Sequence, residues 1–484
     1  MSLTGALSVA LSGLTTSTTA AQLISGNIAN AQTPGYTDKS LDLASVSTGS
    51  SMGGVEINAY ARVTDSVLTA TYNNATSNAS YLSTQNGYMS QVQSILDSTE
   101  DPPALANDLS NFQAAWTQYG SDPSDTTLQQ NVVATGEALA QQIGSIGDQA
   151  TTLKSNIEGD LSTSVQTLNT DLQQVQSLNV QISTAMAEGQ PTVDLQDQRD
   201  QTINQIAQYT SVQVLPRANG QVALYTPSGT GLLDQVAQTF SVSTDPTTGD
   251  PCVVNNIGVN VDNALTGGTL QAQTDFLSSS NSPANGVGVI NKLNSQLTAL
   301  ANLFVSPAAG GFASTYNSAT TGTGELPSGF FTATTDANGN VSDVASFAVN
   351  ANLVNGTSKV KTAAASSVAN TFNASNLAIN TATTPPTTSS TFSATGLTVQ
   401  NQTYSGITTA ILSGFQQAAN AIKGQSSTAT TQQTYYQNSL SSETGVNTNT
   451  ELVNLTSWEN SYAASAHVIS TIQQMMTTLE NLLS

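Results

Sequence analysis

The two ends of the chain constrain it most. Ser2 to Tyr36 reads SLTGALSVALSGLTTSTTAAQLISGNIANAQTPGY, and Gly445 to Leu483 reads GVNTNTELVNLTSWENSYAASAHVISTIQQMMTTLENLL. In the first, Leu3, Leu7, Ala10, Leu14, Ala21, Ile24 and Ile28 alternate by three and four residues, with Ser17 breaking the row. In the second, Leu455, Trp458, Tyr462, Ile469, Ile472, Met476, Leu479 and Leu483 do the same, with Ser465 as the weak position. That spacing draws one narrow apolar stripe along a helix, the seam of a coiled coil. A lone helix cannot bury its stripe; one from each end can pair.

The ends are also nearly chargeless. Residues 1–37 hold no Asp, Glu, Lys or Arg, and residues 451–484 hold only Glu451, Glu459 and Glu480. Their outer faces are Ser, Thr, Gln and Asn, where a solvated helix normally carries charge. Such faces cost less to desolvate, which suits packing against many identical neighbours. Two readings follow: a terminal coiled coil that polymerises, or a two-helix stalk closing an ordinary domain. The whole chain shares the bias, with 8% charged residues against about 25% in ordinary soluble domains. A net charge of −22 with nine basic residues argues against nucleic acid and anionic membranes as partners. No run reaches the roughly 18 apolar residues of a membrane span. Cys252 is alone, so no intrachain disulfide is expected, and after Pro251 it reads as a filler rather than a reactive thiol. The N-terminus has no positive n-region and its apolar residues are spaced, so no cleaved signal peptide is expected. A composition that looks extracellular then calls for a dedicated export system that reads an uncleaved N-terminus.

Between the ends the pattern changes several times. Ser45 to Gly54 reads as an exposed loop or hairpin, and Val55 to Ile57 as a short strand. Arg62 to Leu96 turns helical and stops at Asp101-Pro102-Pro103. Ala104 to Tyr119 is a short helix with Leu105, Leu109, Phe112 and Trp116 on one face. Thr126 to Met186 is the longest periodic segment, its row running from Leu139 through Ile143, Leu161 and Val175 to Ile182 and Met186. A helix of about 60 residues spans roughly 90 Å and implies a rod. Val193 to Tyr209 is a further helix. At Val212 the period falls to two, and Arg217-Ala218-Asn219-Gly220 marks a hairpin. Strand-like sequence runs to about Thr274, helix returns over Gly286 to Phe304, and Tyr404 to Leu440 is helical again.

The expected fold class is mainly α with β insertions: N- and C-terminal coiled-coil helices, a long-helix rod domain and outer β-rich domains. The expected division is 1–55, N-terminal helix and loop; 56–210, first part of the rod domain; 211–285, a β-rich subdomain; 286–305, a helix; 306–397, an outer β-rich variable domain; 398–442, a helix returning to the rod; and 443–484, the C-terminal helix. Leaving the rod and returning places both termini at one end.

Catalysis finds no support, and no cofactor or metal is expected. The sole histidine, His467, lies in a packing helix, where a Ser–His–Asp or Cys–His site has no room. There is no HExxH, no zinc-spaced Cys/His cluster and no GxxxxGK[ST]. Asp194, Asp197 and Asp200 sit three apart beside Arg199 on one helix. A glycosidase needs two carboxylates facing across a cleft, so these read as a solvated or ion-paired face.

Ser25-Gly26-Asn27-Ile28-Ala29-Asn30-Ala31-Gln32-Thr33-Pro34-Gly35-Tyr36 resembles the N-terminal signature of bacterial flagellar rod, hook and hook-associated proteins. Thr444-Gly445-Val446-Asn447, Glu451 to Leu455, Tyr462-Ala463 and Ala466 to Thr471 resemble the matching C-terminal signature. Asp194-Leu195-Gln196-Asp197-Gln198-Arg199-Asp200, after a long helix and before a hairpin, is similar to the hook-associated proteins of the hook–filament junction. The resemblance covers about 1–100, 125–230 and 400–484. Two departures stand out. Asp38 occupies a position that is often Arg in the family, and Asn449 and Thr450 replace its usual acidic pair.

The resemblance implies export through the flagellar channel to the outside of the cell, then polymerisation as a ring-like zone. The implied partners are copies of itself, the hook protein, a second junction protein, the cap during assembly, and an export chaperone at the C-terminus. The implied assembly interface comprises the two apolar rows together with Asn27, Asn30, Pro34, Gly35 and Tyr36.

Overall fold

Apolar periodicity dictates most of the architecture. The computed structural model describes residues 3–48, 51–96, 103–279, 287–307, 311–337, 339–375, 377–379 and 399–483. In order they form α1 (Leu3–Asn30), β1 (Lys39–Thr48), β2 (Ser51–Arg62), α2 (Ser66–Ile95), α3 (Ala104–Ser121), α4 (Thr126–Ala187), α5 (Val193–Tyr209), β3 (Gln213–Pro216), β4 (Val222–Tyr225), β5 (Gly231–Leu233), β6 (Ser241–Thr244) and β7 (Pro251–Val254). There follow α6 (Gly268–Leu277), α7 (Val289–Val305), α8 (Phe312–Ser318), β8 (Phe331–Thr335), β9 (Val341–Val349), α9 (Ala351–Val354), α10 (Ala365–Asn373), β10 (Leu377–Ile379), β11 (Val399–Gln402), α11 (Tyr404–Thr444) and α12 (Thr448–Leu483). The fold is mainly α, with small antiparallel sheets inserted.

The chain divides into two compact units. The first is Met1–Ala79, Thr167–Thr239 and Ala429–Ser484; the second is Ser80–Gln166 and Phe240–Thr428. The helix α4 has 62 residues. Its row from Leu139 to Ile182 is buried throughout, and only Met186, the last of the expected row, is exposed. It ends at Gly189, whose φ of +70° suits glycine, and Gln190 N–H closes back onto the Ala185 carbonyl at 2.8 Å.

In the first unit, β1 and β2 pair antiparallel from Lys39↔Arg62 outward. Of the loop and the hairpin read over 45–54, the described residues form the hairpin, with Ser45 opposite Val55 and Ser47 opposite Met52. A ladder is made by backbone groups, so serines and glycines join it where a partner strand lies alongside. Gly54 lets the hairpin approach α1: a Cβ there would stand 1.9 Å from Ser12 Oγ and 3.6 Å from Val9 Cα. Val55 N–H also donates to Ser12 Oγ at 3.1 Å. The sheet β3-β4-β5 follows the hairpin read at 217–220. Asn179 crosses to it from α4, donating to the Val222 carbonyl at 2.8 Å and accepting from its N–H at 3.1 Å.

The second unit is built around aromatic rings. The ring centroids of Trp116, Phe304, Phe312, Phe330, Phe331 and Phe372 lie 5.4–6.3 Å from that of Phe112. Tyr404 opens α11 fully buried; its hydroxyl accepts from Phe312 N–H at 2.6 Å and donates to the Leu303 carbonyl at 3.2 Å. Lys361 is buried too, donating to the carbonyls of Tyr316, Asn317 and Ala319 at 3.2, 3.2 and 2.9 Å. The first two lie in the last turn of α8 and Ala319 is its C-cap, where a cation is favoured. Burial pushes the Lys361 ammonium down, and Glu325 pulls it part of the way back.

Residues 306–397 hold more helix than the β-rich expectation. The strands β8 and β9 pair from Phe331↔Val349, but α8, α9 and α10 fill much of the described remainder. In α10, Ala365, Val368 and Phe372 recur at three and four and are buried, which the surrounding Ser, Thr and Asn obscure. Pro385-Pro386, which the sequence marks as a loop, lies outside the described residues. Likewise α6 replaces the strand-like reading up to Thr274, because Leu270, Phe276 and Leu277 bury one face.

Candidate assembly surface

The terminal helices α1 and α12 pack along each other within the first unit. On α1 the buried row is Ala10, Ser17, Ala20, Ile24 and Asn27, with Gly13 at the same spacing. Leu3, Leu7, Leu14, Ala21 and Ile28 are half-buried beside it. The row therefore sits on small residues rather than on the leucines, and Ser17, read as a break, is at its centre. Ser465 plays the same part on α12: a Cβ added to Gly13 would lie 3.0 Å from Ser465 Oγ. Small side chains let two backbones come close, and the polar atoms they bury are satisfied locally, as when Ser17 Oγ donates to the Gly13 carbonyl at 2.8 Å.

On α12, Leu455, Trp458 and Ile469 are half-buried and Ile472 is buried. Tyr462, Met476 and Leu479, from the same expected row, remain 47%, 42% and 53% exposed, and Val468 and Met475 beside them are 47% and 53% exposed. The Leu483 side chain lies outside the described residues. A helix with three glutamates and no Lys or Arg that displays this much apolar surface marks an interaction face.

Below the helix pair, the N-terminal signature and the acidic segment of α5 form one network. Asn27 Nδ2 lies 2.9, 2.8 and 3.0 Å from Asp38 Oδ1, the Lys39 carbonyl and Glu451 Oε2, and Tyr36 hydroxyl donates to Asn27 Oδ1 at 3.0 Å. The Lys39 ammonium sits 3.8 Å above the Tyr36 ring, pairs with Asp194, and lies 3.3 Å from Asp197 Oδ2. Arg62 Nη1 pairs with Asp197 at 2.9 Å and Nη2 with Asp200 at 2.7 Å. Thr37 Oγ1 adds a bond to Asp197 at 2.8 Å. Lys39 and Asp197 are almost fully buried, so each charge depends on its partners. Burial lowers the Lys39 ammonium, but Asp194 and Asp197 outweigh it and hold it above its usual value. Burial, then the charge of Glu451, raises Asp38.

The remaining signature residues brace this network. Asn30 Nδ2 donates to the Gly26 carbonyl at 2.9 Å, and the Pro34 carbonyl accepts from Gln201 at 3.0 Å. Gly35 has a φ of +75°, and a Cβ on it would stand 2.7 Å from Gln201 Cγ. The two departures also have places. Asp38 N–H donates to the Thr444 carbonyl at 2.8 Å, tying β1 to the end of α11. Asn449 and Thr450 give their N–H groups to Asn447 Oδ1, which caps α12. Lys39, Arg62 and Thr37 were not singled out by sequence reasoning. The available signal was scarcity: among nine basic residues, a pair flanking one hairpin is conspicuous.

The three aspartates of α5 are thus ion-paired rather than set across a cleft. Among the described residues, no group of His, Cys, Asp and Glu could hold a metal, and no helix is long and apolar enough to cross a membrane. Cys252 is buried in β7, where burial and then the charge of Asp262 push its thiol up.

Comparison with known proteins agrees with this layout. Residues 89–323 match the family model described as the flagellar hook-associated protein FlgK helical domain, and residues 437–482 match that of the flagellar basal body rod FlgEFG protein C-terminal. The flagellar hook-associated protein 1 of Bacillus subtilis is 28% identical over 252 residues, 49% of this chain and 49% of that protein. Those of Salmonella typhimurium and Escherichia coli are 26% and 24% identical over 249 residues, 50% of this chain and 44% and 45% of theirs. The chain spans about half the length of these relatives. The solved flagellar hook junction protein FlgK from Burkholderia pseudomallei aligns at 23% identity with a TM-score of 0.45, over 55% of this chain and 47% of that one. The helical-domain match through its middle and the rod-protein match over α12 make the chain similar to flagellar hook-associated proteins.

Proposed function

We propose that the chain is a structural, non-catalytic subunit of the bacterial flagellum that forms the junction between hook and filament by polymerising through α1 and α12. The observation that carries this reading is the terminal pair: it closes on small residues and leaves Tyr462, Val468, Met475, Met476 and Leu479 exposed. Neighbours in an array cover such a face, whereas a lone molecule leaves it wet. Copies of the chain, the hook protein, a second junction protein and the cap are the neighbours this reading proposes. A chaperone that shields α12 before export is the partner expected inside the cell.

A strain lacking the chain tests this. It should build hooks without filaments and shed flagellin into the medium; a mutant that swims normally overturns the reading. Removing 1–37 or 451–484 should abolish incorporation while the second unit stays folded by circular dichroism.

A further inference from the structure

The terminal pair carries an acceptor-rich groove. Trp458, Glu459 and Tyr462 line one side, and Ser17, Thr18, Ala21, Gln22 and Ser25 line the other, Gln22 able to turn its amide oxygen inward. Ser17 Oγ donates to the Gly13 carbonyl at 2.8 Å, Thr18 Oγ1 to that of Leu14 at 2.9 Å, and Ser25 Oγ to that of Ala21 at 2.8 Å. A hydroxyl has one proton, so these three have only lone pairs left to offer. The Glu459 carboxylate makes no hydrogen bond or ion pair among the described residues. A carboxylate, spent hydroxyls and two aromatic faces together suit a cation, and a planar guanidinium best of all.

Copies of the chain have little to supply it. Residues 1–37 and 451–484 contain no Lys or Arg. His467 lines a separate groove with Leu3 and Ile472. Elsewhere Lys39, Arg62, Lys154, Arg199 and Arg217 are ion-paired, Lys361 is buried, and Lys292 sits over Phe415; Lys359 and Lys423 are exposed, and both belong to the second unit rather than to the tails. Tail-to-tail contact between copies therefore leaves Glu459 without a counter-charge.

We propose that this groove takes an arginine side chain from a helix of a different protein, its guanidinium meeting Glu459 and lying against Trp458 and Tyr462. The assignment rests on the terminal pair being an assembly surface, and makes the groove a place where a non-identical neighbour is told from a copy.

The test uses the full chain labelled with fluorotryptophan and stapled by a Gly13→Cys, Ser465→Cys disulfide, which holds the groove in place. Trp116, buried in the second unit, is the internal control. The probes are a short helical Ala/Ser/Gln peptide with one central arginine, the same peptide with glutamine there, and a peptide of residues 2–36. The expected result is a saturable shift of the Trp458 resonance with the arginine peptide, about tenfold weaker with glutamine and about tenfold weaker in Glu459→Gln. Equal binding of all three peptides, no saturable shift, or no effect of Glu459→Gln overturns the proposal. If the shift is missing but the stapled chain is still incorporated at hook tips, only the groove assignment falls. If the chain lacking 451–484 is still incorporated, the assembly reading itself falls.

Discussion

Gly13 on α1 and Ser465 on α12 stand face to face, and a Cβ built on Gly13 lies 3.9 Å from the Ser465 Cβ. Disulfides favour Cβ separations of about 3.5–4.5 Å. The Gly13→Cys, Ser465→Cys variant should therefore oxidise to an intrachain disulfide, seen as a reductant-sensitive mobility shift. Cys252 is buried and should not compete. Gly13→Leu should instead force the helices apart and reduce incorporation. Failure of the cysteine pair to oxidise in this chain contradicts the closeness of the two helices.

The network under the helix pair should be sensitive to single changes. Lys39→Met leaves Asp197, 5% exposed at its side chain, with one cation fewer. A loss of about 3 kcal/mol in the first unit is expected, the scale for breaking a buried pair. Asp194→Asn should cost under about 1 kcal/mol, since that carboxylate is 76% exposed. Urea unfolding followed by a probe in the first unit checks both.

Phe112→Ala should destabilise the second unit by about 3–5 kcal/mol, because a fully buried ring leaves a cavity its neighbours cannot fill. Calorimetry should show that transition moving down.

Asp262 should make the second unit more stable as pH falls. Burial first, then the charges of Asp245 and Asp275, raise its pKa to about 6, against lowering by the Val253 N–H and Asn260. A raised carboxyl holds more protons folded than unfolded, so its burial cost is relieved as pH drops through about 6 and is fully present above it. The urea midpoint should rise between about pH 7 and about pH 5, and Asp262→Asn should flatten that rise.

Helices bearing large apolar residues were legible in the sequence. Every member of the α4 row from Leu139 to Ile182 is buried, because Leu, Ile and Val announce their spacing. The α1 contact was legible only at Ala10 and Ile24, because Gly13, Ser17 and Ala20 carry no hydrophobic signal while Leu7 and Leu14 beside them do. Over 45–54 the sequence left loop and hairpin undivided for a related reason: the pairing lies in the backbone. The signature residues and the α5 aspartates were each visible, but their union was not. Thr37 and Asp197 are 160 residues apart, and only tertiary folding brings them together.

Amide exchange on the full chain, dilute and then assembled, tests most directly whether the terminal helices depend on neighbours. The expected result is that amides from Ile469 onward exchange at least about a hundredfold faster than those of α3 in the dilute chain, and become protected on assembly. Firm protection of α1 and α12 in the solitary molecule would contradict it.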